Sequence, residues 1–189
     1  VPNLNDFVSG LKYLLKDEGT ITLEFPHLLN LIKFNQFDTV YHEHFSYFSI
    51  ISLKECLRKH GLRIYKINKI NVHGGSLRIY LTHDKSSIKT LNSVNQIIKE
   101  ERKFGLNKKA TYVNFQKEIN KIRDNFLSFL IKAKKQKKRV CGYGAAAKSA
   151  VLINYCGIRK DLIPFVCDVS KHKQNKFFTG NFIPIKRPS

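Results

Sequence analysis

Tryptophan and methionine are both absent from this chain of 189 residues, and acidic side chains are scarce, 14 Asp+Glu against 34 Lys+Arg. No apolar run approaches the ~20 residues that a membrane-spanning helix needs, and no basic-then-apolar leader opens the chain. No membrane-spanning helix and no membrane partner are expected, and a cytoplasmic location is the expectation. The four cysteines, Cys56, Cys141, Cys156 and Cys167, include no C-x-x-C pair, so zinc-knuckle spacing is missing. Cys141 and Cys167 lie in apolar, strand-like runs, and buried free thiols in a reducing compartment are expected. With no methionine anywhere, Val at position 1 and a strand-like "IPIKRPS" at the close, the expectation is a chain truncated at both ends.

What is present is an ordinary globular mixture, 42% apolar and 25% charged, enough for one large or two small domains. The net charge of +20 is concentrated: residues 85–139 hold 16 Lys+Arg against 4 Asp+Glu. A polyanion partner such as nucleic acid is one explanation. A solvated lysine face, amplified by AT-rich codon usage, is the other. Aromatic residues are not interleaved with the lysines as base-stacking platforms require, which favours the solvated face.

Apolar residues at helical spacing predict a helix over 5–16, and "TITLEF" (20–25) alternates as a strand that Pro26 breaks. Ser52 with Glu55 has capping-box spacing for a helix over 53–60, with Gly61 as its stop. "LRIYKI" (62–67) and "SLRIYLTH" (76–83) read as strands joined through "VHGGS". Residues 88–135 carry one apolar stripe and read as helical, and the lysine run 132–139 suits the negative end of a helix dipole. Then "RVCGYGAAAKSAVLINYCG" and "LIPFVCD" read strand, glycine turn, helix, parallel strand. The fold class is α/β, with a boundary at 84/85 separating domains 1–84 and 85–189.

Two clusters carry chemistry. Gly142, Gly144 and Ala147 fit G-x-G-x-x-A between a strand and a helix, and Asp168 ends the next strand, close to a dinucleotide fingerprint. Small residues there let backbone amides approach a phosphate, and Lys148 can add a cation; a tight turn packed with alanine is the plain alternative. The second cluster is "FDTVYHEHFSYFS" (37–49). A histidine near a carboxylate and a phenol, here His44 with Glu43 and Tyr41, can act as a general base. His42-x-His44 is a poor metal site, because no second ligand group completes it. The rings of Phe37, Phe45, Tyr47 and Phe48 as plain core are the alternative.

The ordered set "EFPH", "FDTVYHEHFSYFS", "HGGSLRIY", "GYGAAAK" and "FVCD…K…TGNFIPI" resembles the sugar C-methyltransferases that act on nucleotide-linked 4-keto-6-deoxyhexoses, over nearly the whole chain. The resemblance implies the C-terminal part of a class I S-adenosylmethionine domain followed by a Rossmann-like β-α-β domain. It implies His44 as the base at C-3, Glu43 and Tyr41 as its partners, and His73 and Lys148, with the Gly142 and Gly144 turn, as sugar or phosphate contacts. The family's zinc ligands, its glycine-rich S-adenosylmethionine loop and its acidic ribose residue have no counterpart here, so the cofactor site is expected to be incomplete and the isolated chain inactive. Thr179-Gly180 stands where the family has Pro-Gly, which puts that loop's shape in question. Three functions follow in order: part of a methyltransferase; a nucleotide-binding module or split-enzyme subunit completed by a missing N-terminal half; and a basic nucleic-acid-binding protein.

Overall fold

The computed structural model describes residues 1–72 and 74–188. By contact the chain forms two compact units, Val1–Gln36 with Phe45–Phe115, and Phe37–His44 with the chain from Gln116 onward. This division differs from one drawn at 84/85 on composition. The loop after residue 83 is held to the first unit by the Arg63 guanidinium, which donates to the carbonyls of Asp84, Ser86 and Ile88 and to Thr90 Oγ1.

The first unit is built on three strands, β1 (Ile21–Pro26), β2 (Leu62–Ile70) and β3 (Ser76–His83), in the antiparallel order β1-β3-β2. Helices α1 (Leu4–Leu14), α3 (Ile50–Lys59) and α4 (Asn92–Phe104) bury one face of this sheet, and a six-residue helix α2 (Leu28–Lys33) follows β1. Alternation decides which face is buried: Leu77, Ile79 and Leu81 point to the core, while Glu24 and Arg78, directly opposed, pair at 2.8 Å on the solvated face. In β2 the alternation slips. Ile64 faces Leu81 and Lys66 faces Tyr80, so Tyr65 is the extra residue of a β-bulge. The bulge brings both Ile64 and Ile67 into the core, and the Tyr65 carbonyl accepts the Leu91 amide just before α4.

Three expectations change here. The stripe over 88–135 is two helices, α4 and α5 (Lys109–Lys135), because Gly105 adopts φ 93 and its amide closes α4 onto Glu101 and Arg102. Helix α3 starts at Ile50, three residues before the capping-box position: Ser49, not Ser52, is the N-cap and accepts the Ser52 amide. What makes the earlier start possible lies on α4. Glu101, fully buried, accepts from Ile50 N (2.7 Å) and Ile51 N (2.9 Å), and His27 Nε2 lies 2.8 Å from the same carboxylate. A carboxylate only accepts, so the His27 proton is on Nε2. Lastly, the free thiols are not generally buried: Cys156 is, Cys56 and Cys167 are half-buried, and Cys141 is exposed.

The second unit has a parallel sheet, β4 (Gly142–Tyr143), β5 (Val166–Cys167) and β6 (Ile185–Lys186) in that order, with α6 (Ala147–Tyr155) crossing from β4 to β5. The β-α-β unit is present, but each strand is only two residues long. Val166 sits between Gly142 and Ile185, and a Cβ on Gly142 would lie 2.9 Å from Val166 Cγ2. Glycine at 142 is therefore a packing requirement of the sheet.

Two substitutions test this account. Glu101→Ala strands the Ile50 and Ile51 amides and buried His27, and should lower unfolding free energy by about 3 kcal/mol or more in urea titrations, with Glu101→Gln costing less. Gly142→Ala should cost about 1–3 kcal/mol by overpacking against Val166.

Candidate functional site

The segment 37–44 is a succession of tight turns. Phe37–Thr39 form a single 3₁₀ turn, and the amides of Val40, Tyr41 and His44 bond back to the carbonyls of Phe37, Thr39 and Tyr41. Phe37 is buried against Tyr155 of α6, ring centroids 5.2 Å apart. The Tyr155 hydroxyl donates to Asn120 Oδ1 (2.6 Å) and accepts from Gln116 Nε2 (2.8 Å). Nothing in the spacing of Phe37, Gln116, Asn120 and Tyr155 announces this anchor, so sequence reasoning missed it.

The anchor presents the polar residues. Tyr41 is half-buried and meets the His44 ring edge-on, centroids 4.9 Å apart at 79°. His42, Glu43 and His44 are exposed. Tyr41 thus limits the orientations open to the imidazole. Glu43 makes no hydrogen bond or ion pair among the described residues. The other rings of the cluster divide: Phe48 stacks edge-on against Phe25 (5.4 Å), Tyr47 packs beside Leu31 and Ile32, and Phe45 is exposed.

The glycine turn belongs to the same unit as Tyr41–His44. Gly144 takes φ 96, and open space lies where its side chain would be; only glycine allows both this backbone and a close approach from that side. The first turn of α6 has no side-chain cap, and Lys148 within it is exposed, a donor set suited to an anion. Asp168 is not free to receive a ribose, as a dinucleotide fingerprint would require. Its Oδ2 accepts the Ala145 amide (2.6 Å) and its Oδ1 the Ser170 amide (2.7 Å), with Lys173 Nζ at 3.6 Å. The Ser170 and Ala145 amides, aided by Lys173, hold its carboxyl below the usual Asp range. The carboxylate closes the turn.

His73 lies outside the described residues. The glycines after it, Gly74 and Gly75, have φ 79 and 106, and side chains on them would strike Gln36 and Asn30, whose amides reach toward the Gly74 and Gly75 carbonyls. At Thr179-Gly180 the turn is held by Asn154, which donates to the Thr179 carbonyl (2.9 Å), a contact indifferent to the side chain at 179. Among the described residues no three His, Cys, Asp or Glu side chains converge on a point that could hold a metal, and no helix is long and apolar enough to cross a membrane. Asp168, buried and bonded to two backbone amides, is not placed to take the ribose of S-adenosylmethionine.

The chain is thus a mixed α/β structure in which a glycine turn opens a β-α-β motif, and the Tyr41–His44 edge pair lies in the same compact unit as that turn. Residues 71–189 match the family model for the C-methyltransferase C-terminal domain, and the chain belongs to that family. Over 188 residues it is 34% identical to the C-methyltransferase NovU of Streptomyces niveus, a match that covers all of this chain and 45% of that protein. The family read from the motifs is thereby borne out, and the chain spans under half the length of this relative.

The Asp168 geometry has a pH signature. A carboxyl held below its unfolded value stabilises the fold above that value and loses the contribution as pH falls through the folded one. Stability measured by urea unfolding should therefore fall from about pH 5 downward. Asp168→Asn should be less stable at neutral pH and lack that component of the acid limb.

Proposed function

We propose that this chain is the C-terminal portion of a methyltransferase that alkylates carbon on a nucleotide-linked 4-keto-deoxy sugar. The observation that carries the reading is the Tyr41–His44 ring pair, held in the unit that also contains the Gly142–Ala147 turn, in a chain whose family is C-methyltransferase. His44 removes the proton from the carbon beside the ketone. That proton is acidified because the adjacent carbonyl takes up the charge as an enolate, and a neutral imidazole is a base matched to neutral pH. Tyr41 orients the ring and its hydroxyl stabilises the enolate oxygen. Glu43, unpaired among the described residues, turns toward the imidazolium once that charge forms. Lys148, with the amides past Gly142 and Gly144, binds the phosphates of the substrate.

The carbanion so formed is the nucleophile a C-methyltransferase requires. The methyl donor, S-adenosylmethionine, finds no fitted cradle among the described residues, and none is assigned to hold it. A missing N-terminal half supplies that site in this reading, and the β1-β3-β2 sheet is the far edge of a class I methyltransferase sheet. In isolation the 189-residue chain does not turn over. A nucleotide-binding subunit of a split enzyme is the second reading, favoured by the same glycine turn.

In the full-length protein, His44→Gln should suppress deuterium exchange at the carbon beside the ketone by roughly 10²–10⁴-fold while nucleotide-sugar affinity, read by calorimetry, stays within about twofold of the parent. Unchanged exchange would assign the base elsewhere. Binding of S-adenosylmethionine by the 189-residue chain alone would remove the split-site reading.

A further inference from the structure

A cavity of about 230 Å³ opens in the second unit, away from the glycine turn. Lys137–Val140 precede β4, and Lys160–Pro164 precede β5, whereas Gly144–Ala147 and Asp168 follow those strands. In a parallel pair this puts the cavity and the turn at opposite ends of the strands. The floor is apolar, made by Leu130, Val140 and Leu162. The rim is cationic: Lys137, Lys138, Arg139 and Lys160 line it, and none has a carboxylate within ion-pair distance among the described residues. The one acid on the wall, Asp161, is already paired with Lys134 at 3.0 Å.

The helix dipole does not explain this rim. It accounts for Lys132, Lys134 and Lys135 in the last turn of α5. Arg139 lies beyond the helix end, and Lys160 comes from a different loop. Lys137 adds a second observation. It closes α5 with φ 58, its amide bonding to the Lys134 carbonyl and the next amide to Ala133. That left-handed position favours glycine, yet a lysine occupies it and lines the cavity. Four unpaired cations around a small concavity give a positive field that a compact, multiply charged anion neutralises best. Arg139 can take a phosphate through two parallel N–H donors. The volume lies below that of pockets for drug-sized organic ligands, ~300 Å³ and upward, which matches a small anion.

We propose that this cavity is a diphosphate site, separate from the glycine turn and independent of the methyltransferase reading. The diphosphate is either the free inorganic ion or the terminal group of a nucleotide. Calorimetry on the 189-residue chain with inorganic diphosphate, ADP and orthophosphate tests it, at low and at physiological salt. Inorganic diphosphate should bind with a Kd of roughly 10–100 μM at low salt, and orthophosphate at least ~10-fold more weakly. The double variant Arg139→Ala/Lys160→Ala should weaken diphosphate at least ~10-fold with its melting temperature unchanged, while the same loss of charge on the first unit, Lys85→Ala/Lys89→Ala, leaves the affinity as it was. ADP binding as tightly as diphosphate supports a nucleotide source, and its exclusion supports the free ion. Three results would overturn the proposal: loss of binding in Lys148→Ala but not in the double variant, equal affinity for orthophosphate, or tighter binding of duplex DNA than of diphosphate.

Discussion

The first unit depends on one buried carboxylate. Glu101 sits on α4 with no solvent contact, and taking such a group out of water is costly unless its lone pairs are filled. They are filled by the first two amides of α3 and by His27, which comes just before α2. Three segments distant in sequence must therefore meet at one point. That requirement sets where α3 begins, and so where the chain re-enters this unit after Phe37–His44. It also fixes the rotation of α4 on the sheet, which carries Val94 and Ile97 into the same core as Leu57 and Leu81. An apolar residue at 101 could pack there, but it could not cap α3.

Asp168 plays the corresponding part in the second unit. In a dinucleotide site an acid at this strand end receives a ribose; here it ties the strand end to the glycine turn through Ala145 and to the next loop through Ser170. The turn is thereby held in the shape that leaves Gly144 open on one side. The sheet beneath is minimal, two residues per strand, and its packing rests on Val166 between a glycine and an isoleucine.

The charge of the chain resolves into distinct local situations. On the first unit, cations such as Arg78 and Lys69 are paired with Glu24 and Glu100 on solvated surfaces, where such pairs contribute little to stability. At the end of α5 several lysines serve the helix dipole. Past that end the cations have no such partners and line a concavity instead. A surplus concentrated along the chain is thus uneven in space as well, and the cations that gather around a concavity make a stronger local field than those spread over an open face.

Local pattern alone determined much of this protein. Period-two alternation marked β1 and β3 to within a residue or two, helical spacing marked α1, and the glycine turn and the β-α-β unit were legible because each needs particular small residues at particular offsets. Tyr41 and His44 were legible as a pair, since a turn of four residues brings their rings together. Other features depend on contacts between residues far apart in the chain. The start of α3 differs from its capping-box position because Glu101 of α4 accepts the first two amides and Ser49 the third; the long helical stripe divides because one glycine in a left-handed conformation outweighs apolar periodicity on both sides of it. Phe37 reads as a core ring, but Tyr155 and Asn120 decide what it holds in place. Asp168 has the position of a ribose ligand, but two backbone amides reach its oxygens first. Short-range pattern states what a segment can form; which polar group is already bonded, and to what, is settled only when distant segments are brought to within hydrogen-bonding distance.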